Sequence, residues 1–353
     1  MKFNQVIGTS LLFILILILA SCGNNDSSNK TSADVDTDGS TDSEQYDSMT
    51  IQLATVEADG HNTTEGAKKF KEIVEEKSGG QIKVDVYPNQ QLGSMRDQTE
   101  MTQMGSIQMS IAPVSTVGSF VDDLQILELP FLFNDEDVMW DVLDGNVGQD
   151  VLDTTKGSGL KGLGLWAGGF KQITSNKKSI ESPEDMKGLD IRVIPSESLI
   201  NQYKAWGANP TPIDFAELYT SLQQGVVDAE ENPLVTILSQ KFYEVQKYLT
   251  ISNHAYQFHM IMANESWFDS LNENVQQLLV EAEKEAREFS KNMNQEQNAE
   301  QLQALEDEGI EVNELSSEAI KQFQELSTSL YKSATSNEEK AALLKEIQDA
   351  VKE

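Results

Sequence analysis

Several residue types are scarce in this chain. It has 353 residues but only one cysteine, three histidines and three arginines. A single cysteine cannot form an intramolecular disulfide, so packing alone must stabilise the fold. No Gly-x-Ser-x-Gly or His-Glu-x-x-His motif occurs, although these motifs mark large classes of hydrolases. We therefore expect that the protein is not an enzyme, and we expect neither a metal nor a cofactor.

Positive charge is scarce as well. The chain has 26 Lys and Arg residues against 58 Asp and Glu residues, which gives a formal net charge of −32. Such a chain is repelled by the phosphates of nucleic acids, so we expect no nucleic-acid partner. The acidic residues are unevenly distributed. Residues 156–247 carry 10 basic and 11 acidic side chains, so most of the negative excess lies outside this stretch. An anionic ligand would therefore bind at the lowest electrostatic cost in that stretch.

The one long apolar run, residues 6–20, is too short for a typical membrane span. It has roughly 15 residues, whereas a bilayer needs ~20. Lys2 precedes the run and small residues follow it, as in a secretory signal peptide. The sequence Leu19-Ala20-Ser21-Cys22 resembles a bacterial lipobox, in which the cysteine is lipidated. We predict a lipoprotein signal peptide over residues 1–21 and a lipid anchor on Cys22, at the extracytoplasmic face of the cell membrane. A signal anchor that stays in the membrane is the alternative.

A polar segment separates this N-terminus from the first regular elements. Residues 22–48 are mostly Asn, Asp, Ser, Thr and Gly, and we predict a disordered acidic tether. Beyond it, alternating apolar residues predict a strand over 49–54, and helical spacing predicts a helix over 62–77. Further strands and helices alternate along the chain, among them a predicted helix over 135–152 and a predicted strand over 163–166 that leads into Gly168-Gly169. This alternation favours an α/β fold with parallel units.

Two later segments carry clear local signals. Ser182 and Pro183 mark the start of a short helix and Gly188 its end. A predicted strand over 189–194 then carries Arg192, flanked by apolar residues. A buried guanidinium needs a partner, either a ligand carboxylate or a neighbouring acid such as Asp190. Farther on, a predicted helix over 271–305 is long enough to reach from one domain to another.

A set of short motifs, taken in their order along the chain, resembles the motifs of one protein family. The chain is similar to the substrate-binding proteins of tripartite ATP-independent periplasmic (TRAP) transporters, the DctP-like family. The motifs are Tyr87–Gly93, Gly169–Asn176, Ser182–Leu189, Ile191–Val193, Asn209–Pro212, Phe215–Tyr219, Leu222–Ala229 and Glu231–Pro233.

The resemblance implies a two-lobed, periplasmic-binding-protein-like α/β fold with crossing hinge strands and a long lobe-spanning helix. We assign residues 49–169 and 258–297 to lobe I, and residues 170–257 and 298–353 to lobe II. The lobes of such a monomer close over a small organic acid, by default a C4-dicarboxylate. Sugar acids, keto acids and sialic acid are the alternatives. The implied partners are the TRAP membrane subunits.

The resemblance also implies ligand contacts in lobe II. Arg192 matches the arginine that forms a salt bridge with the ligand carboxylate. Lys171 stands where the family commonly has a second arginine, and it keeps the charge without the bidentate fork. Asn232 matches an asparagine that reaches ligand oxygens, and Phe215 matches an aromatic wall. From the residues alone, a solvated lysine, a turn asparagine and a core phenylalanine stay open as alternatives.

The ligand contacts that we predict in lobe I are based only on the positions of the residues in the sequence. Glu57, His61 and Asn62 follow the first strand, where this fold places loops that face the ligand. Arg96 begins a helix near the same rim, although a positive charge is unfavourable at a helix start. The binding protein of an ATP-driven (ABC) importer or of a sensor-coupled receptor would share the two lobes and the lipid anchor, so it remains the alternative function.

Overall fold

The computed structural model describes residues 46–335 and 337–352. The predicted signal peptide, Cys22 and most of the predicted tether lie outside these residues. The described chain begins with a packed residue, because the Tyr46 ring contacts the apolar core. Ser48 Oγ donates to Gln81 Oε1 at 2.6 Å. Within the described ranges, every helix is too short or too polar to cross a membrane.

The described residues form strands β1 to β10, numbered in chain order. They are β1 Met49–Thr55, β2 Ile82–Tyr87, β3 Met109–Pro113, β4 Leu160–Ser175, β5 Asp190–Val193, β6 Asn209–Pro212, β7 Ala229–Pro233, β8 Tyr248–Ile251, β9 Tyr256–Asn264 and β10 Glu311–Glu314.

Helices α1 to α13 are numbered in the same way, and two short 3₁₀ helices span Asp122–Glu128 and Phe242–Glu244. They are α1 Asn62–Lys77, α2 Met95–Gln103, α3 Val114–Val117, α4 Glu136–Leu143, α5 Asn146–Asp153, α6 Pro183–Met186, α7 Glu197–Ala205, α8 Phe215–Gln223, α9 Leu234–Ser239, α10 Glu265–Ser270, α11 Glu273–Asp307, α12 Ser317–Ala334 and α13 Glu338–Ala350.

The strands form one mixed sheet in the order β2-β1-β3-β9-β4-β7-β5-β6. Strand β1 is parallel to β2 and β3, and β5 is parallel to β6 and β7. The predicted parallel units are therefore confirmed toward both ends of the sheet. At its centre, β9 is antiparallel to β3 and β4, and β4 is antiparallel to β7 and β8.

Strand β4 connects the two parallel regions. Its first part pairs with β9 up to Phe170, and its last residues, from Lys171, pair with β7 and β8. The strand predicted over 163–166 is present but longer than expected, because β4 continues through Gly168 and Gly169. The register with β9 shifts at Gly169, whose φ of +114° is rarely adopted by residues with a side chain. The glycine pair therefore bends the strand without ending it.

The helix predictions have mixed outcomes. Helix α1 confirms the expected bounds, and α6 begins with the predicted Ser182 cap and Pro183. The predicted helix over 135–152 is interrupted, because Gly145 has an extended backbone and caps a new helix, α5. Helix α11 has 35 residues, as its apolar spacing predicted.

The long helix α11 contributes to two apolar cores. Its Leu278 packs in a core with Leu53 of β1, and its Leu305 packs in another core with Val193 of β5. The helix therefore connects the two regions that the sequence assigned to lobes I and II. The last helix, α13, packs Leu344 against Trp140 of the predicted lobe I, although the prediction placed it in lobe II. The domain boundaries remain a prediction.

Candidate ligand-binding site

Arg192 lies on β5, a strand whose other face packs into an apolar core. Ile191 and Val193 point into that core, so the alternation along the strand directs Arg192 to the opposite face. Its side chain is fully buried, and its Nε donates to the carbonyl of Ile213 at 2.9 Å. Burial lowers the pKa of Arg192 to about 10, so the guanidinium remains charged at neutral pH.

The outer nitrogens of this guanidinium lack partners. Neither Nη1 nor Nη2 of Arg192 has a hydrogen-bond partner among residues 46–335 and 337–352. The Phe215 ring, at the start of α8, lies with its centroid 5.9 Å from the Arg192 Cζ. A buried fork of N–H donors beside an aromatic wall is the geometry that binds a carboxylate in two places.

The adjacent strand β7 places two more polar side chains on the Arg192 face. Glu230 and Asn232 are two residues apart, so they share one face of the strand. Glu230 Oε1 accepts from Thr174 Oγ1 at 2.6 Å, and Asn232 Nδ2 donates to the other oxygen of Glu230. Burial raises the pKa of Glu230 to about 7. Asn232 is therefore oriented by Glu230 beside the guanidinium.

Lys171 lies on the other face of the sheet. In the pairing of β4 with β7, Lys171 is opposite Pro233, and Ile173 is opposite Glu231. The Lys171 Nζ lies 3.3 Å from Glu128 Oε2 and 3.1 Å from Glu231 Oε1, and all three side chains are buried. Burial opposes the charge on Lys171, but the two carboxylates outweigh it and raise the lysine pKa.

Glu231 is further held by two polar side chains, His254 and Tyr203. Its Oε2 lies 3.0 Å from His254 Nε2 and accepts from the Tyr203 hydroxyl at 3.2 Å. The other ring nitrogen of His254, Nδ1, is 2.8 Å from Ser252 Oγ. Burial disfavours the charge on Glu231, but Lys171 and His254 outweigh it and hold its pKa well below the usual range. Lys171 therefore belongs to a saturated buried network.

A second buried cluster follows β1. Glu57 Oε1 lies 3.3 Å from His259 Nε2, and Glu57 Oε2 lies 3.6 Å from His61 Nε2. Burial opposes the charge on Glu57, but His61, His259 and Arg192 outweigh it and lower the glutamate pKa. His61 also lies beside Thr236, three residues after β7, so this cluster lies near the end of β7 that carries Asn232.

His61 caps helix α1 and connects it to α9. Its Nδ1 accepts from the Thr63 N–H at 3.2 Å, and its Nε2 lies 3.3 Å from Thr236 Oγ1. Because Nδ1 is an acceptor, the hydrogen-bond pattern assigns the proton of the neutral ring to Nε2. Burial lowers the pKa of His61 to about 4, so the ring is neutral at pH 7.

We expect His61 to make the protein acid-sensitive. Its pKa of about 4 in the folded state lies below the 6.5 of an ordinary histidine, so the unfolded chain binds the extra proton first. The free energy of unfolding then falls as the pH drops from 6.5 to 4, by up to about 3 kcal/mol from this residue. Urea unfolding of the wild type and of His61→Gln at several pH values measures the effect. Parallel pH profiles of the two proteins would contradict it.

Two predicted contacts of lobe I lie away from the guanidinium. Asn62 Nδ2 donates to the Ala167 carbonyl at 2.6 Å and to Ser290 Oγ at 3.1 Å, which ties α1 to β4 and α11. Arg96 is exposed, and its Nε lies 2.8 Å from Glu100 Oε1, one turn along the same helix. The structure thus places Phe215 beside Arg192, Asn232 on the same face of the sheet, and the Glu57 cluster near the end of β7. It places Lys171 on the opposite face and Arg96 at the surface.

Two polar residues of this site were missed from the sequence. Glu230 could have been found, because it lies two residues before Asn232 in a strand and must share its face. His259 carries no such local signal. It reaches Glu57 through the pairing of β9 with β4, in which it is opposite Trp166.

Comparison with known proteins gives a family match over most of the chain. The model of the family described as bacterial extracellular solute-binding protein, family 7, matches residues 53–338. The C4-dicarboxylate-binding protein DctB of Bacillus subtilis (strain 168) is 38% identical over 258 residues, which are 72% of this chain and 74% of that relative.

Solved structures give the same result. The sugar acid binding protein DctPAm from Advenella mimigardefordensis strain DPN7T, in complex with galactonate, superposes with a TM-score of 0.83 at 31% identity, covering 87% of this chain and 98% of its own. A TRAP periplasmic solute-binding protein from Sulfurospirillum deleyianum DSM 6946, with bound succinate, gives 0.81 at 32% identity and covers 86% and 100%. The predicted two-lobed α/β fold is therefore confirmed.

Proposed function

Because the chain belongs to family 7 of the bacterial extracellular solute-binding proteins, we propose that it captures a small organic acid outside the cytoplasm and delivers it to TRAP membrane subunits. The ligand carboxylate binds the Arg192 guanidinium, with Phe215 as the wall of the pocket and Asn232 as a further donor. Family and fold are those of transport proteins, and the protein binds its ligand without transforming it.

The observation that carries this proposal is the unpartnered guanidinium. Arg192 is fully buried, and within the described chain its two outer nitrogens have no hydrogen-bond partner. Buried N–H donors without acceptors are costly, so such a group is retained where an anion is to be bound. The relatives that bind succinate and galactonate support a carboxylate as that anion.

The proposed mechanism is closure of two lobes over the ligand. Lobe I comprises residues 49–169 and 258–297, and lobe II comprises residues 170–257 and 298–353. His61 and Thr236 belong to different lobes, and the 3.3 Å between His61 Nε2 and Thr236 Oγ1 supports a closed arrangement. Ligand binding stabilises this closed form, which the membrane subunits then recognise.

A thermal-shift screen tests the proposed function. A ligand that binds only the folded protein raises the melting temperature, and a concentration of 100 times Kd adds about 2.7 kcal/mol to the stability. We expect at least one acid in a panel of dicarboxylates, sugar acids, keto acids and sialic acid to stabilise the protein, and the matching uncharged alcohols to have no effect. If no acid stabilises it, the proposed function is wrong.

We also propose that Cys22 carries a lipid that anchors the protein to the membrane. The apolar run and the Leu19–Cys22 sequence support the anchor, and the polar residues that follow support a tether. We expect Cys22→Ala to release the protein from the membrane fraction while its ligand affinity stays unchanged. Fractionation and calorimetry measure the two effects, and a variant that stays in the membrane would contradict the anchor.

A further inference from the structure

The buried charges around Arg192 and Lys171 are unequal. Four carboxylates and two cations are each at most 2% exposed, namely Glu57, Glu128, Glu230 and Glu231 against Lys171 and Arg192. Burial raises the pKa of Glu128 and Glu230, so both are more readily protonated than ordinary glutamates. Even with both of them neutral, the two remaining carboxylates balance the two cations. Burial also keeps His61 neutral at pH 7. Lys171 and Arg192 therefore supply no surplus positive charge to the site.

The two cations are not equally available to a ligand. Lys171 has Glu128 and Glu231 as near partners on the far face of the sheet. Arg192 has its outer N–H groups without partners in the described part of the chain. One guanidinium binds one carboxylate in the two-pronged geometry. A second carboxylate on the same ligand would be buried beside Glu57 or Glu230 without a cation of its own.

Two carboxylates near Arg192, those of Glu57 and Glu230, offer hydrogen-bond acceptors to a ligand. Glu57 Oε2 is buried without a hydrogen-bond donor among the residues described, and its nearest charge partner, His61 Nε2, is 3.6 Å away. Each oxygen of Glu230 accepts one hydrogen bond, from Thr174 or from Asn232, and a carboxylate oxygen has a second lone pair. A ligand hydroxyl can donate to these oxygens, whereas an ionised carboxylate has no proton to donate.

We propose that the ligand has a single carboxylate and several hydroxyl groups, as in sugar acids, and that C4-dicarboxylates bind weakly. This inference rests on the proposed function and selects a substrate class within it. The carboxylate binds Arg192, and the hydroxyls donate to Glu57 and Glu230. The default prediction of a C4-dicarboxylate is replaced by this one.

Acids of equal length separate the two classes in calorimetric titrations. Erythronate and succinate each have four carbons, and galactonate and adipate each have six. We expect the hydroxy acid of at least one pair to bind at least about tenfold more tightly than its dicarboxylate. Tartrate, with two carboxylates and two hydroxyls, should bind as weakly as succinate.

Three results would overturn the inference while leaving the proposed function intact. They are tighter binding of succinate or adipate, binding of tartrate that equals that of erythronate, and tighter binding of 4-aminobutyrate, which has an ammonium group in place of hydroxyls. If none of these acids binds, the inference fails, and the proposed function fails with it only when the keto acids and sialic acid of the thermal-shift panel do not bind either.

Two variants test whether Glu57 and Glu230 cause the preference for hydroxy acids. Glu57→Gln and Glu230→Gln each replace an ionisable carboxyl group by a neutral amide of similar size. The preference is the ratio of the dissociation constant of the dicarboxylate to that of the hydroxy acid. We expect each variant to lower this ratio at least about threefold, since a dicarboxylate then meets less repulsion. Glu184→Gln, at an exposed position, is the matched control and should change nothing. An unchanged preference in whichever of the two buried variants folds, checked by circular dichroism, would contradict the assigned roles.

Discussion

Replacing Arg192 by alanine is expected to weaken ligand binding by roughly two to three orders of magnitude. The substitution leaves the ligand carboxylate buried without its cation, and breaking a buried charge pair costs about 3–5 kcal/mol. A micromolar ligand would therefore bind in the millimolar range. The ligand affinity of Arg192→Lys should lie between those of the wild type and Arg192→Ala, since lysine keeps the charge but lacks the two-pronged geometry.

The chain offers a matched control for this experiment. Arg96 is an exposed arginine whose Nε pairs with Glu100 on its own helix, so Arg96→Ala should bind the ligand like the wild type. Isothermal titration calorimetry of the three variants and the wild type measures the series. An Arg192→Ala protein that binds within about twofold of the wild type would contradict the role assigned to the guanidinium.

Replacing Lys171 by methionine is expected to destabilise the fold by about 3–5 kcal/mol, because it leaves Glu128 and Glu231 buried without their cation. Lysine and methionine have similar length, so the loss would reflect charge more than packing. Urea unfolding at pH 7 gives the change in the free energy of unfolding.

An exposed lysine serves as the control for this change. Lys187 pairs with Glu184 at the surface, so Lys187→Met should alter stability by no more than about 0.5 kcal/mol. A Lys171→Met protein that is as stable as the wild type but has lost its ligand would contradict the structural role. Lys171 would then be a ligand contact, as its place in the family motif implied.

The position of Arg192 could be predicted because its signals are local. Ser182, Pro183 and Gly188 delimit a short helix, and the apolar residues beside Arg192 indicate a buried strand. The structure has both elements at those places. Helix capping and strand alternation depend on residues within a few positions of one another, so both can be predicted from the sequence alone.

The partners of Lys171 could not be predicted because they are distant in sequence. Glu128 lies 43 residues before the lysine and Glu231 lies 60 residues after it. Only the pairing of β4 with β7 and the packing of the 3₁₀ helix Asp122–Glu128 bring the three together. A lysine in a motif therefore gives no indication of which face of its strand will be buried in an ion-pair network.

The continuity of strand β4 is a second feature that could not be predicted from the sequence. A glycine pair commonly marks a turn, yet Gly168 and Gly169 lie inside β4. The distinction depends on β9 and β7, which pair with the strand before and after the glycines. Tertiary pairing thus decides whether this local signal bends a strand or ends it.

A crystal structure with an acid that passes the thermal-shift screen tests the central claim most directly. We expect one ligand carboxylate to accept hydrogen bonds from Nη1 and Nη2 of Arg192, at roughly 2.7–3.2 Å. Lys171 should keep its contacts to Glu128 and Glu231 in that complex. A ligand whose carboxylate binds Lys171 or any group other than Arg192 would contradict the account.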